Sequence, residues 1–228
     1  MARHYSSFPL ALILLFTCYC LSAAAAEYWS SSSSDPDSYT AYVESNCNHT
    51  PCTNLCRQTL NPYARKINLS PRRIAVFAMT AVHGEARSTA DAIVRTLKRE
   101  IKSGKSSETE VRAISDCSEV MSDFHDSLGP SMRQLAEANS GDREHFSGHV
   151  RYVTKELNTA AGHTDNCVKG LSQLSGFSRT KIIGDRVVRV SKLTKIALAL
   201  VNKFSEGVQK KWKVKEQKLY YYDENNLP

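Results

Sequence analysis

The chain has 228 residues, a formal net charge of +7 and 41% hydrophobic residues. Glycine and proline are scarce, at 10 and 7, and cluster at the ends of apolar-periodic segments. With no run alternating at period two for long enough to be a strand, this excludes a sheet-built architecture and leaves one helical domain with a real core.

Residues 1–26 read as a secretory leader. Arg3 and His4 open it, an apolar run LALILLF follows at residues 10–16, and LSAAAA closes it at residues 21–26. The apolar run is shorter than the roughly 20 residues a membrane helix needs. No second such run and no retention or lipidation signal follows, so the expected destination is extracellular, with no membrane contact after cleavage. A secreted chain is a poor match to nucleic acid. The positive charge suits an environment of acidic polymer without specifying one.

Residues 27–38, EYWSSSSSDPDS, read as a Ser-rich flexible linker. Two short helical pieces follow between Tyr39 and Ala64, broken at Thr50-Pro51, which predicts a small α-hairpin. Asn48-His49-Thr50 and Asn68-Leu69-Ser70 are N-glycosylation candidates, with Pro71 weighing against the second. Ser70-Pro71 then starts a long helix, an N-cap followed by proline at the first helical position. Its stripe runs from Ile74 through Val82 and Ile93 to Ile101, and Ser103-Gly104 ends it. Ser107 and Glu110 form a candidate capping box for a second helix carrying Ile114, Cys117, Met121, Phe124, Leu128 and Leu135. Gly129-Pro130 predicts a kink or a split there. A third helix carries Phe146, Val150, Val153, Leu157 and Cys167 and ends at Gly176, and a fourth carries Ile183 through Phe204. Four long amphipathic helices with short turns predict an all-α fold: an antiparallel up-and-down four-helix bundle that, with the hairpin ahead of it, makes one domain over residues 39–204.

Cleavage near Ala26 leaves five cysteines, in a compartment where disulfides persist. Cys117 lies roughly 23 residues before the turn near Ser140 and Cys167 roughly 27 after it. In a helical hairpin that is a mismatch of about 6 Å, which a short loop absorbs, so a bridge between the second and third bundle helices is geometrically reasonable. Cys47 and Cys56 fit a clip across the small hairpin. Cys52 stands i, i+4 from Cys56, a poor direction for bonding, and is the leftover thiol: either a small buried side chain or an intermolecular link.

Cys47-x8-Cys56, Ile114-Ser-Asp-Cys-Ser-Glu119, Thr164-Asp-Asn-Cys167 and the LTKIALAL string at residues 193–200 together resemble the plant invertase and pectin methylesterase inhibitor family over roughly residues 39–204. The resemblance implies an N-terminal hairpin clipped by one cysteine pair and a four-helix bundle whose second and third helices are joined by the other. It also implies a non-catalytic inhibitor with no cofactor that occludes an enzyme's cleft in a one-to-one complex. The Pro-Lys-Phe string of the invertase branch is absent and residues 142–152 look more like the pectin methylesterase branch, so that esterase is the expected partner. Inhibition of invertase, or a structural or adhesive wall protein on the same bundle, are the alternatives. With the sequence ending at Pro228, no attached esterase domain is expected.

No GxSxG elbow, Walker loop or HExxH is present, which argues against an enzyme. His145 and His149 have metal-ligand spacing on a helix without an evident third ligand, so no metal site is expected. With His163 they are also candidates for a pH-sensitive interface. The extension at residues 205–228 carries Lys210-Lys-Trp-Lys-Val-Lys215, then Tyr220-Tyr-Tyr222. It is either a solvated continuation of the last helix or an attachment point for anionic pectin. The sequence names no interface residue; the polar faces of the second to fourth bundle helices are the expected surface.

Overall fold

Ser70 and Pro71 fix where the first long helix begins. The Ser70 hydroxyl accepts a hydrogen bond from the Arg73 amide at 3.3 Å, filling one of the orphan donors of the first turn. The computed structural model describes residues 36–104, 106–138, 141–174 and 178–224. The chain divides into two units, Met1–Ser38 and Tyr39–Pro228, and from Tyr39 onward the hairpin and the bundle belong to the second. The expected leader, and all but the last residues of the expected linker, lie outside the described residues.

Helix α1 (Pro36–Cys47) and helix α2 (Thr53–Leu60) form the hairpin. A 3-10 turn (Asn61–Tyr63) and a single-turn helix α3 (Ala64–Ile67) lead into α4 (Pro71–Ser103). Then come α5 (Glu108–Glu137), α6 (Arg143–Ser172) and α7 (Ser178–Glu224). Each of α4–α7 packs on its neighbour in sequence and α4 closes on α7, giving a four-membered ring whose diagonals are α4/α6 and α5/α7. This is the predicted all-helical bundle behind a short hairpin. Its core takes Ile74, Met79 and Ile93 from α4, Met121 and Leu128 from α5, Phe146 and Leu157 from α6, and Val187, Ile196 and Leu200 from α7. The hairpin adds Cys47, Cys56 and Leu60 to the same cluster.

The helix ends follow their local chemistry. Gly104 takes a left-handed φ of 60° after α4, a conformation glycine adopts without a Cβ penalty. Ser107 and Glu110 make the full capping box: the Glu110 amide donates to the Ser107 hydroxyl at 3.3 Å and the Ser107 amide donates to Glu110 Oε2 at 2.8 Å. Asp142 caps α6 by accepting from the His145 amide at 3.0 Å.

Of the kink or split expected at Gly129-Pro130, the split is absent: α5 runs unbroken through Pro130. Leu128, Ser131 and Leu135 are buried on both sides of the proline, so packing holds the helix across the lost hydrogen bond. The last helix runs on past Phe204, the continuation that its sequence allowed. It continues to Glu224 with Val208 buried, because the apolar stripe persists for another turn and Trp212 packs against the core.

Candidate docking surface

The hairpin is tied beside its turn. Cys47 and Cys56 are bonded, with Cα atoms 5.5 Å apart. Across the clip Arg57 donates from Nη2 to Asn48 Oδ1 at 2.6 Å. That bond uses the Asn48 carbonyl oxygen and leaves the Nδ2 amide, the atom an N-linked sugar would occupy, uncommitted on an exposed side chain. Asn68 is also exposed and takes a left-handed φ of 51°; Leu69 beside it does the same at 54° and is 43% exposed.

Cys52 is the free cysteine among the described residues. It is not inside a helix with Cys56, as the i, i+4 spacing suggested. It occupies the N-cap position of α2, and its carbonyl accepts from the Cys56 amide at 2.9 Å. Its half-buried side chain lines a recess shared with Asp185, Arg189 and Lys192 of α7.

The second crosslink joins Cys117 on α5 to Cys167 on α6, with Cα atoms 5.2 Å apart. It sits at the floor of a groove of about 340 Å³ between those helices, whose rim includes Asp116, His163 and Asn166. On the other side of α6, Asp165 reaches α7: it accepts from Ser191 Oγ at 2.6 Å and pairs with Lys195 Nζ at 2.9 Å. Hydrogen bonds from Lys195 and then Ser191 hold the Asp165 carboxyl below its ordinary range against a small opposing effect of burial. The TDNC string therefore ties α6 to both of its neighbours, through Cys167 to α5 and through Asp165 to α7.

The outer faces are electrostatically opposed. Helix α5 carries seven carboxylates and two Arg side chains, whereas α7 carries twelve Lys and Arg against five carboxylates. Because α5 and α7 lie on a diagonal of the ring, the acidic and basic faces point to opposite sides of the bundle.

Four of the histidines form two pairs. His145 and His149 meet on α6 with ring centroids 4.1 Å apart, and His149 Nδ1 is hydrogen-bonded to Gln134 Oε1 of α5. His83 of α4 stacks on His125 of α5, with centroids 4.4 Å apart. Sequence reasoning missed this second pair, because its members are 42 residues apart and only the register of α4 on α5 brings them together. His163 stands 14 residues beyond His149 along α6, about four turns away, so the three α6 histidines do not form one cluster. Among the described residues, no group of three or more His, Cys, Asp or Glu is placed to hold a metal. Among them also, no helix is long and apolar enough to cross a membrane.

The family model for plant invertase/pectin methylesterase inhibitors matches residues 41–200. Among curated proteins, pectinesterase inhibitor 10 of Arabidopsis thaliana is 31% identical over 164 residues, which is 72% of this chain and 51% of that protein. Pectinesterase inhibitor 9 of the same plant is 30% identical over 168 residues, or 72% of this chain and 81% of that one. The chain thus spans about half the length of the first relative and four fifths of the second. A crystal structure of a mutant form of a pectin methylesterase inhibitor from Arabidopsis superposes with a TM-score of 0.53 at 17% identity, covering 68% of this chain and 92% of that chain, a likeness of fold. With the family model spanning most of the chain and the crosslinked hairpin and bundle in place, this chain belongs to the plant invertase/pectin methylesterase inhibitor family.

Proposed function

We propose that the chain is a secreted, non-catalytic inhibitor of pectin methylesterase that caps the enzyme's cleft in a one-to-one complex. The observation that carries this reading is the alignment of two pectinesterase inhibitors over 72% of the chain, at 31% and 30% identity. The mechanism is obstruction. A pre-formed bundle face gives up little conformational entropy on docking, so more of the contact energy is realised as affinity. The crosslinks support it by holding α1 to α2 and α5 to α6 before the partner arrives. The outward faces of α5, α6 and α7 are the docking surface in this reading, with their opposed charges orienting the encounter.

The same proposal covers the processing of the chain. Residues 1–26 are removed, 27–38 act as a spacer, the bundle domain spans 39–204 and 205–228 form its extension. The secreted form carries both crosslinks, a reduced Cys52, and sugar at Asn48 with partial use of Asn68. The exposed lysines beyond Trp212 attract de-esterified pectin in a salt-dependent manner.

The test is a titration of purified secreted chain into a pectin methylesterase and, separately, a cell-wall invertase. Stoichiometric loss of esterase activity with invertase untouched is the expected result. Loss of invertase activity alone would move the target to the other branch of the family, and no loss in either assay would leave a structural wall protein.

A further inference from the structure

A recess of about 620 Å³ opens where the end of α1, the start of α4 and the distal part of α7 converge. Three cations line it, Arg72 from α4 and Lys203 and Lys211 from α7, and no Asp or Glu does. Neither lysine makes an ion pair among the described residues. Arg72 is held in place by donating from Nη1 to the Ala136 carbonyl at 3.2 Å, a bond that uses one of its five N–H groups. Like charges gathered at one concave site repel one another and raise the local concentration of anions.

The remaining walls are selective. Tyr42, Ser45, Asn46 and Ser70 bring hydroxyl and amide groups to the same recess, with Phe204 and Val208 as its apolar side. Tyr42 Oη is buried, with the Asn46 side chain as its polar neighbour. Beside it Asn46 donates one Nδ2–H to the Tyr42 carbonyl at 2.8 Å and keeps the second for the Tyr42 side chain. The volume lies within the range of about 300–1,000 Å³ typical of small-molecule sites and far exceeds what one inorganic anion fills.

We infer that this recess binds a hydroxylated carboxylate the size of one or two uronic acid residues. Its carboxylate faces Lys203, Lys211 and the free edge of Arg72. Its ring hydroxyls meet the side chains of Ser45, Asn46 and Ser70, and its apolar ring face lies against Phe204 and Val208. The site is distinct from the general attraction of polymer to lysines further along α7, and it does not depend on which enzyme the bundle inhibits.

Calorimetric or chemical-shift titration of the full secreted chain with digalacturonate tests it, with the neutral disaccharide of galactose and inorganic sulfate as comparison probes. Saturable binding of digalacturonate, at least fivefold tighter than either comparison, is expected. Lys203→Gln and Lys211→Gln should each weaken it at least fivefold. Lys213→Gln with Lys215→Gln, outside the recess, should leave it unchanged. Equal binding of neutral and acidic sugar would overturn the inference, as would sulfate binding as tightly as digalacturonate. So would an equal loss in the Lys213/Lys215 pair, which would assign the attraction to the charge of α7 as a whole.

Discussion

The indole of Trp212 stands edge-on to the ring of Phe146, with centroids 5.2 Å apart and planes at 88°. Phe146 in turn meets Phe204 edge-on at 5.4 Å, so an aromatic cluster joins the first turns of α6 to the distal part of α7. Arg143 closes the outside, with its guanidinium 5.2 Å from the Trp212 ring centroid and 2.8 Å from Glu216. Ser205, Val208 and Trp212 therefore pack the start of the extension onto the bundle as a continuation of α7. Trp212→Ala should cost roughly 2–3 kcal/mol, below the range for a fully buried tryptophan because the ring is half-exposed. Lys213→Gln should cost under about 0.5 kcal/mol. Urea midpoints of the two variants check both values.

The two crosslinks close loops of different length and should differ in worth. The 50-residue separation of Cys117 and Cys167 corresponds to about 4 kcal/mol in the chain-entropy model. The 9-residue separation of Cys47 and Cys56 corresponds to about 2.6 kcal/mol. Paired Cys→Ser replacements should preserve this order in denaturation experiments, while Cys52→Ser should move the midpoint little. Peptide mapping of oxidised protein should recover these two pairs and a free Cys52.

His83 gives the fold a pH dependence. Burial, then the charge of His125, then that of Arg87 hold its imidazole below the ordinary range, even with Asp126 beside His125 at 3.1 Å. The unfolded chain thus takes up this proton at higher pH than the folded one. Stability is complete above the unfolded value of about 6.5 and declines as pH falls through it toward the folded value. The denaturation midpoint of the native chain should drop between pH 7.5 and pH 5 by more than that of His83→Gln. Parallel pH profiles for the two would remove this account.

Leu69 holds a left-handed φ of 54° with its side chain 43% exposed, a conformation that costs a non-glycine residue roughly 1–2 kcal/mol. Glycine removes that strain but gives the unfolded chain more freedom, which returns up to about 1 kcal/mol. Leu69→Gly should therefore raise stability by roughly 0.5 kcal/mol, readable as a small rise in thermal midpoint. A clear fall would mean that the Leu69 side chain makes contacts worth more than the strain.

Much of the fold is local and was legible in the chain. Ser70-Pro71, the Ser107/Glu110 box and Gly104 mark helix ends because their side chains, or the lack of one, act on backbone groups within four residues. The apolar stripes of α4–α7 were readable because a helix repeats its facing every 3.6 residues. Cys52 stands at the N-cap of α2, where its carbonyl accepts the first i, i+4 bond from the Cys56 amide.

What the sequence by itself determined is the number of long helices, their stripes and the cysteines available to crosslink them, since periodicity and capping are written in neighbouring residues. Only the tertiary structure decided that α5 passes through Pro130, that α7 continues past Phe204 and that Arg72, Lys203, Lys211 and Tyr42 share one recess. These depend on helix register and on burial of side chains far apart in the chain, and no local pattern encodes the distance between two surfaces that meet only after the core has formed.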